Sequence, residues 1–454
     1  MPQAFLSDVT VWRIRAANAL LVLTLGGCAT YRPLPLPRGP DLLPVVPASA
    51  DSVRAPADKL DLADLARLAI DHNPDLRARR VALGVPRAEL YAAGLLPDPQ
   101  LSIGGEHPTT RAPGLVNAGI LGLSYDLSAL FTRSATQQAA RQKLAQARLD
   151  LAWAEWQTAQ QARTLGLGMW TAQRKRAVLG EALSRYRHRQ QQSTAALAAG
   201  DATLLQAGPD LTALLDASSK LALLDQTASD DTHRLRALLG LDPHAPLAVA
   251  EPALTQSGAT DLPAPDAAQA ALAQVADRRP DLRALAAGYA AQEARLRGSV
   301  LAQFPAITLG ITRARDTSAI YTNGLSLALN LPLFSGARGA IARDRATRRQ
   351  LRAEYQARLD QTAADVAQLF GMAGIVAAQR AQLIKHLPAL RAMVEQARSA
   401  YARGDMDALA YLNLEQTLTD KRLERIDLTS QLAGARIALD TLLALPLPAG
   451  KSVP

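Results

Sequence analysis

The sequence predicts an internally duplicated α+β membrane protein, built from long helices and from two β-hairpins of the kind that form a membrane barrel. Two observations lead to this prediction. A segment of about two hundred residues occurs twice, far longer than ordinary solenoid repeats. Each copy combines two strands of alternating polarity with very long stretches of helix-forming residues. Each copy is therefore predicted to form a helix, a β-hairpin, a very long helix, a turn and a long helix.

The duplication is marked by matches that fall in the same order at a nearly constant spacing. Residues 71–78 recur as residues 277–284, at an offset of 206, and the pair Gly200-Asp201 recurs as Gly404-Asp405, at an offset of 204. We expect the first repeat to span 59–255, with a hairpin at about 99–128 and long helices over 133–240. We expect the second repeat to span 262–446, with a hairpin at about 305–332 and long helices over 338–444, before a tail at 447–454.

The strands of each hairpin alternate apolar and polar residues. In residues 121–128 leucine or tyrosine occupies every odd position, and in residues 325–331 leucine does so again. Period-two alternation places one face of a sheet on an apolar medium and the other on a polar one. A hairpin lying on a soluble core would show the same pattern. Four such strands, with little other strand signal in the chain, favour a transmembrane barrel with its apolar face outward.

Four strands cannot close such a barrel. Outer-membrane barrels need roughly eight strands or more, and open sheet edges are not tolerated in lipid. Either several chains contribute strands to one shared barrel, or the membrane interpretation is wrong.

The remainder of each repeat is predicted to be helical. The segment from Arg133 to Ala199 contains no proline and is rich in good helix formers. At ~1.5 Å per residue it would be about 100 Å long. Its counterpart runs from Arg338 to Arg403, and the expected interruptions are Gly339, Gly371, Gly374 and Pro388. The last helix carries two neighbouring apolar stripes, which predict packed neighbours on both sides, as in a wall of helices.

The N-terminus predicts export and lipidation. A basic segment and a short apolar stretch lead to Leu25-Gly26-Gly27-Cys28, which has the form of a lipoprotein signal peptide over 1–27 with Cys28 as the lipidated residue. A chance cysteine in an ordinary signal peptide is the alternative. Cys28 is the only cysteine, so no disulfide competes for it. Residues 28–58 hold seven prolines, which predict an extended, lipid-anchored tether. Ala29 does not match the usual signal for inner-membrane retention.

A set of short motifs lies in a fixed order along the chain, and part of it occurs in both repeats. Its members are Asn73-Pro74-Asp75-Leu76, Arg279-Pro280-Asp281-Leu282, Pro99, Pro305, Leu331-Pro332-Leu333-Phe334-Ser335-Gly336 and Tyr401-Ala402-Arg403-Gly404. With this ordered, doubled set the chain resembles the TolC-like outer-membrane efflux factors over nearly all of its mature length. The resemblance implies a homotrimer in the bacterial outer membrane, whose chains share one twelve-stranded transmembrane β-barrel that a long periplasmic α-helical barrel continues.

The same resemblance implies a function. Such a trimer is the exit duct of a tripartite efflux system, a passive conduit for small molecules or metal ions that works with a periplasmic adaptor and an inner-membrane transporter. Residues 96–102 and the basic, alanine-rich helices resemble the branch that serves heavy-metal pumps, and a drug or solvent pump is the rival. A periplasmic coiled-coil scaffold lipoprotein without a channel is the alternative from another class. It leaves the alternating strands unexplained, and channel conductance would separate the two.

The expected functional end is the pair of helical turns. Gly200 and Gly404 permit tight reversals between helices. By resemblance, this periplasmic tip closes the tunnel and docks the adaptor, through Asp201, Tyr401, Arg403, Asp405, Asp407, Leu409 and Asn413. Ordinary solvated loop charges are the alternative interpretation of these residues.

The sequence allows two arrangements of the closure. Some members of the family carry acidic rings just beyond this glycine, where this chain has Ala410 and Asn413. Either the ring is displaced to Asp405 and Asp407, or Leu409 and Asn413 form the constriction. In a trimer the Asp405 and Asp407 carboxylates would repel one another, and Arg403 is the candidate that neutralises them and holds the tip shut.

Other chemistries lack support in the sequence. The six histidines show no spacing typical of a metal site, and no nucleophile elbow is present. We therefore expect no catalysis, no cofactor and no resident metal. A net charge of +9 raises the possibility of nucleic-acid binding. The basic residues are spread along helices, however, and aromatic residues make up only 4% of the chain, so a nucleic-acid partner is not expected.

Overall fold

The computed structural model describes residues 31–47, 59–110, 112–255, 262–332, 334 and 336–445. The described residues 31–42 belong to one unit and contain no helix or strand. Residues from Leu43 onward form the second unit, which carries all the elements named below. The predicted signal peptide, Cys28 and the tail at 447–454 lie outside the described residues.

Helices dominate the described part of the second unit, as the sequence predicts, and one small sheet accompanies them. The first repeat contains α1 (Leu62–His72), α2 (Pro74–Ala82), α3 (Gly84–Gly94), β1 (Gln100–Glu106), β2 (Ala118–Asp126), α4 (Ser128–Ala199) and α5 (Leu204–Leu238). The second repeat contains α6 (Pro265–Ala273), α7 (Val275–Arg278), α8 (Pro280–Leu301), β3 (Ala306–Arg315), β4 (Tyr321–Asn330), α9 (Gly336–Ala402) and α10 (Ala408–Leu442). The two repeats thus have the same order of elements.

The motif at the start of the first repeat sets a helix boundary. Asn73 caps α2, because its Oδ1 accepts a hydrogen bond from Leu76 N at 2.9 Å. Pro74 follows at the first helical position, where its missing N–H costs nothing. Asn73 Nδ2 donates to Leu238 O at 2.8 Å, which ties the cap to the end of α5. Leu76 is buried. The motif therefore fixes where the early helices join the long ones.

In the second repeat Arg279 takes the place of Asn73, and the cap is replaced by a buried ion pair. Arg279 is only 3% exposed, and its guanidinium donates to both carboxylate oxygens of Asp281 at 2.6 and 2.7 Å. It also donates to Thr362 Oγ1 at 2.8 Å and lies 5.0 Å from the ring centre of Trp153 in α4. The bidentate geometry and the cation–π contact satisfy a charge that would otherwise be costly to bury.

The four strands form one antiparallel sheet in the order β1-β2-β3-β4, so the two hairpins pair with each other through β2 and β3. One row across the sheet is Leu101, Leu123, Ile311 and Leu325, and the adjacent row is Ser102, Gly122, Thr312 and Gly324. Odd-numbered residues thus share one face and even-numbered residues the other. The predicted alternation is confirmed as a sheet with one apolar face and one face of small and polar residues.

The long helices run without interruption. The helix α4 has 72 residues and α9 has 67. Pro388 and Gly371, expected interruptions, both lie inside α9. A proline removes one backbone hydrogen bond, but long helices derive most of their stability from packing, and Leu387 and Val394 on either side are buried. No described helix combines the length and the apolar character needed to cross a membrane.

The largest core cluster lies where both repeats meet. Leu65 of α1, Trp170 of α4, Leu235 of α5 and Ile437 of α10 pack together there. Leu43 joins this cluster and pairs with Leu241 in an isolated parallel bridge, with hydrogen bonds of 2.9 and 2.8 Å to the neighbouring backbone. Within the predicted tether, Leu43 and Val46 thus pack against the helical core.

Candidate functional site at the helical turns

The two turns that the sequence singles out have the same backbone. Gly200 and Gly404 both adopt a left-handed conformation, with φ of 81° and 82°. In each turn the next N–H closes the helix end: Asp201 N donates to Ala196 O and Asp405 N donates to Ala400 O, both at 2.9 Å. Residues with a Cβ are strained at such φ values, so glycine is favoured at both positions. The predicted tight reversals are confirmed.

The helix that leaves each turn begins with a different cap. In the second turn Asp407 Oδ2 accepts from Leu409 N at 3.0 Å and from Ala410 N at 3.2 Å, which caps α10. In the first turn Thr203 N donates to Gln206 Oε1 at 2.8 Å, within a capping box. The Asp407 carboxylate therefore has a structural role within its own chain.

The predicted gate residues occupy three different environments. Arg403 Nε donates to Asp405 Oδ2 at 2.8 Å, in an exposed ion pair within the same chain. Leu409 and Asn413 project from the first turns of α10 and are exposed. Tyr401 instead stacks on Tyr411, with ring centres 5.3 Å apart. Of the predicted set, the structure brings Arg403 and Asp405 together and directs Tyr401 into contacts inside the chain.

The sequence reasoning missed the residue at the centre of these contacts, Arg189 of α4. Its guanidinium lies 5.3 Å from the ring centre of Tyr401 and 4.9 Å from that of Tyr411. It also forms ion pairs with Asp210 of α5, at 2.9 Å, and with Glu415 of α10, at 3.5 Å. Arg189 thus contacts the last turns of α9 and residues of α5 and α10, so it joins the two helical hairpins near their turns.

We call these five residues the Arg189 cluster: Arg189, Asp210, Tyr401, Tyr411 and Glu415. The Arg189 side chain is 11% exposed, and the two carboxylates are 5% exposed. The nitrogen–oxygen distances are those of ion pairs, although the guanidinium N–H groups do not reach hydrogen-bond geometry with either carboxylate. Attraction between the buried charges and the cation–π contacts therefore hold the cluster.

Arg185, beside the Arg189 cluster, completes its charge balance. Glu415 also accepts from Arg185 Nε at 2.6 Å, so two arginines face two carboxylates. Burial, and then the charge of Glu415, raise the pKa of the Tyr411 phenol above its ordinary value. The available signal in the sequence was the helical spacing of Arg185 with Arg189 and of Tyr411 with Glu415. Nothing in the sequence, however, indicated that these two pairs face each other.

Within the described ranges, no three histidine, cysteine, aspartate or glutamate side chains are placed to hold a metal ion.

Residues 271–445 match the family described as outer membrane efflux protein. This similarity spans most of the second repeat. This match confirms the predicted resemblance to the TolC-like outer-membrane efflux factors and the predicted class of function, an outer-membrane efflux channel. The family consists of transport conduits rather than enzymes. No curated protein matches the chain.

Solved structures extend the similarity to both repeats. The outer-membrane channel OprN superposes with a TM-score of 0.71 at 18% identity, over 92% of this chain and 99% of that one. CusC, a structure described in terms of transmembrane channel formation, gives a TM-score of 0.70 at 19% identity, over 90% of this chain and 98% of that one. The outer membrane protein VceC from Vibrio cholerae gives 0.68 at 17% identity, over 84% and 95%. These similarities establish the fold.

Proposed function

We propose that three copies of this chain close one twelve-stranded barrel in the bacterial outer membrane, and that the long helices continue it as a periplasmic duct. The observation that carries this proposal is the sheet. Its edge strands β1 and β4 have no partner strand among the described residues, and each edge needs one in lipid. Pairing β4 of one copy with β1 of the next removes every edge, and three copies of four strands are within the range of known barrels.

The two faces of the sheet support the same arrangement. The odd-numbered face exposes Leu101, Leu123, Ile311 and Leu325 to solvent in the isolated chain. Exposed apolar surface of this extent needs an apolar environment. The even-numbered face, with Ser102, Gly122, Thr312 and Gly324, is suited to a water-filled lumen.

On this proposal the protein is the passive exit duct of a tripartite efflux system for small molecules or metal ions. An inner-membrane transporter supplies the driving force and a periplasmic adaptor joins the two. The helical turns with Asp201, Arg403, Asp405, Asp407, Leu409 and Asn413 form the periplasmic gate and the adaptor-docking region. The support for this location is that the turns lie at the far ends of α4 and α9 from the sheet, where three copies would converge.

The decisive test compares arginine substitutions at two adjacent strand residues, one on each face of the sheet. Leu123→Arg places a charge on the lipid face and is expected to cost ~2–4 kcal/mol if it lies near the membrane midplane. Ser124→Arg places the same charge in the lumen and is expected to be mild. Leu327→Arg and Ser326→Arg repeat the comparison on β4, where Gly310 lies beside Ser326 and leaves space.

The readouts are insertion into outer membranes, trimer mass and single-channel conductance in planar bilayers. Equal effects at the two kinds of position would refute the facing assignment. A soluble chain without conductance would instead favour a periplasmic scaffold lipoprotein.

Lipidation of Cys28 is part of the same proposal. Mass spectrometry of the membrane-extracted protein is expected to show residues 1–27 missing and a diacylglyceryl adduct on Cys28. Cys28→Ser is expected to retain the channel, because one lipid anchor adds only reversible membrane binding to a barrel that inserts by itself. Recovery of an unmodified Cys28 thiol on the wild-type chain would exclude the anchor.

A further inference from the structure

Charge is segregated between the two faces of the sheet. The four strands contain two acidic residues, Glu106 and Asp126, and both lie at even positions, on the polar face. They contain two basic residues, Arg313 and Arg315, and both lie at odd positions, on the apolar face. The register places Arg313 between Leu121 and Asn323, and Arg315 between Gly119 and Tyr321. A purely lipid-facing surface would exclude these arginines.

Both arginines lie at one end of the apolar face. The helices join the strands near Gln100, Asp126, Ala306 and Asn330, so the opposite ends of the strands carry the hairpin loops. Arg313 and Arg315 are two and four residues beyond Ile311 toward the β3–β4 loop. At ~3.3 Å per residue they follow Ile311, the last apolar residue of β3 on this face, by roughly 7 and 13 Å of strand. With the helices in the periplasm, this is the end of the sheet that lies toward the outer leaflet.

Neither arginine has an anionic partner among the described residues. Arg315 lies 5.6 Å from the ring centre of Tyr321, and its buried Nε has no hydrogen-bond acceptor. The nearest carboxylate along the chain, Asp316, accepts from Ser318 N at 2.8 Å and from Ile320 N at 2.9 Å within the loop. A neighbouring copy paired through its β1 would not supply an acid either, because Glu106 lies on the other face.

Next to the arginines the apolar face has a shallow depression. It is lined by Leu101, Leu121, Leu123, Ile311 and Leu325, with Arg313 and Asn323 at its loop end. The arrangement matches a lipid: a surface for acyl chains, and two guanidinium groups, each able to donate two parallel hydrogen bonds to a phosphate.

We propose that Arg313 and Arg315 bind the phosphate groups of an acylated lipid in the outer leaflet, whose chains pack along this depression. The inference rests on the proposed membrane orientation. It adds a specific lipid site to each of the three outer faces of the duct. Binding neutralises the arginines at the membrane surface and holds the barrel at a fixed depth.

The test uses the full-length protein in nanodiscs, with bound lipid counted by native mass spectrometry. The probes are lipid A with two phosphates, dephosphorylated lipid A with the same acyl chains, and inorganic phosphate. We expect the phosphorylated lipid to bind at least about tenfold more tightly than the dephosphorylated one. Inorganic phosphate is not expected to compete, because it lacks the chains that occupy the depression.

Charge-matched variants locate the effect. Arg313→Gln/Arg315→Gln is expected to abolish the preference for the phosphorylated lipid. Arg187→Gln/Arg349→Gln removes the same charge from exposed positions of the helices and is expected to leave the preference intact. If the first double variant fails to insert, the comparison of the two lipids on the wild-type chain still decides the question. Arg313→Lys/Arg315→Lys, which retains the charge, then serves as the variant for the same comparison.

Two failures are distinguishable. The lipid site is overturned if a conducting wild-type channel binds the two lipids equally, or if Arg313→Gln/Arg315→Gln leaves the preference unchanged. In either case the arginine side chains are only solvated at the membrane surface. A wild-type chain that neither inserts nor conducts overturns the proposed function itself.

Discussion

The two helical turns have nearly identical backbones but very different side chains. Gly200 and Gly404 share their φ value and the hydrogen bond that follows. At an offset of 204, the second turn has Tyr401, Arg403, Asp407, Tyr411 and Glu415 where the first has Leu197, Ala199, Thr203, Ala207 and Leu211. Both repeats therefore retain the chemistry that reverses the chain, while charged and aromatic groups are concentrated in the second turn.

This difference indicates that the second turn is held by the first repeat. Arg189 comes from the first repeat, as does Asp210, whereas Tyr401, Tyr411 and Glu415 come from the second. The repeats have diverged so that one supplies the central cation and the other supplies its aromatic contacts. A rearrangement of the second turn relative to the first would have to disturb the Arg189 cluster.

The largest expected effect comes from breaking this link. Arg189→Met keeps the length of the side chain but leaves Asp210 buried without its cation, and Glu415 keeps only Arg185. Removing one partner of a buried ion pair costs ~3–5 kcal/mol. We expect a lower Tm and faster amide hydrogen exchange around residues 395–420.

The control for this change is Arg187→Met, two residues away on the exposed side of α4. It removes the same charge and is expected to change neither readout. Equal behaviour of the two variants would show that the Arg189 cluster contributes nothing to the tip.

A second, smaller effect tests whether the two turns are equivalent in their backbones. Gly200→Ala and Gly404→Ala both place a Cβ on a left-handed residue and are expected to destabilise by ~1–2 kcal/mol each. Gly374→Ala is the control, because Gly374 lies inside α9 with open space around its Cα, so alanine is expected to be neutral or slightly stabilising there. Thermal unfolding of the three variants measures this. A large difference between the two turn variants would contradict their equivalence.

The sequence predicted the parts of this molecule that depend on local pattern. Period-two alternation identified the four strands and their apolar face, and the two glycines identified the reversals. It misjudged Pro388 as an interruption, because burial of Leu387 and Val394 stabilises a helix whose local sequence disfavours it. It missed Arg189, because residues 189 and 415 meet only through the packing of helices far apart in the chain, which one sequence does not reveal.

A third effect separates capping from gating at Asp407. Asp407→Ala removes the cap of α10 and is expected to destabilise by ~1 kcal/mol. Asp407→Ser keeps a capping oxygen and removes the charge, so its stability is expected to stay near that of the wild type. If Asp407→Ser nevertheless raises single-channel conductance, the charge itself takes part in closure. If only Asp407→Ala raises it, loss of the helix start is the cause.

The smallest effect on stability, and the most direct test of the gate, comes from Arg403. Its pair with Asp405 is exposed, so Arg403→Ala is expected to leave Tm unchanged. In a trimer the change would leave three Asp405 carboxylates facing one another without a cation, and their repulsion is expected to widen the tip. We expect higher conductance in planar bilayers and entry of large antibiotics into cells. Arg398→Ala, which breaks the exposed pair with Glu395 one turn earlier in α9, is the matched control and is expected to leave both unchanged. Unchanged conductance in Arg403→Ala, with an increase in Leu409→Ala or Asn413→Ala, would instead place the constriction within α10 and exclude the charge pair as the gate.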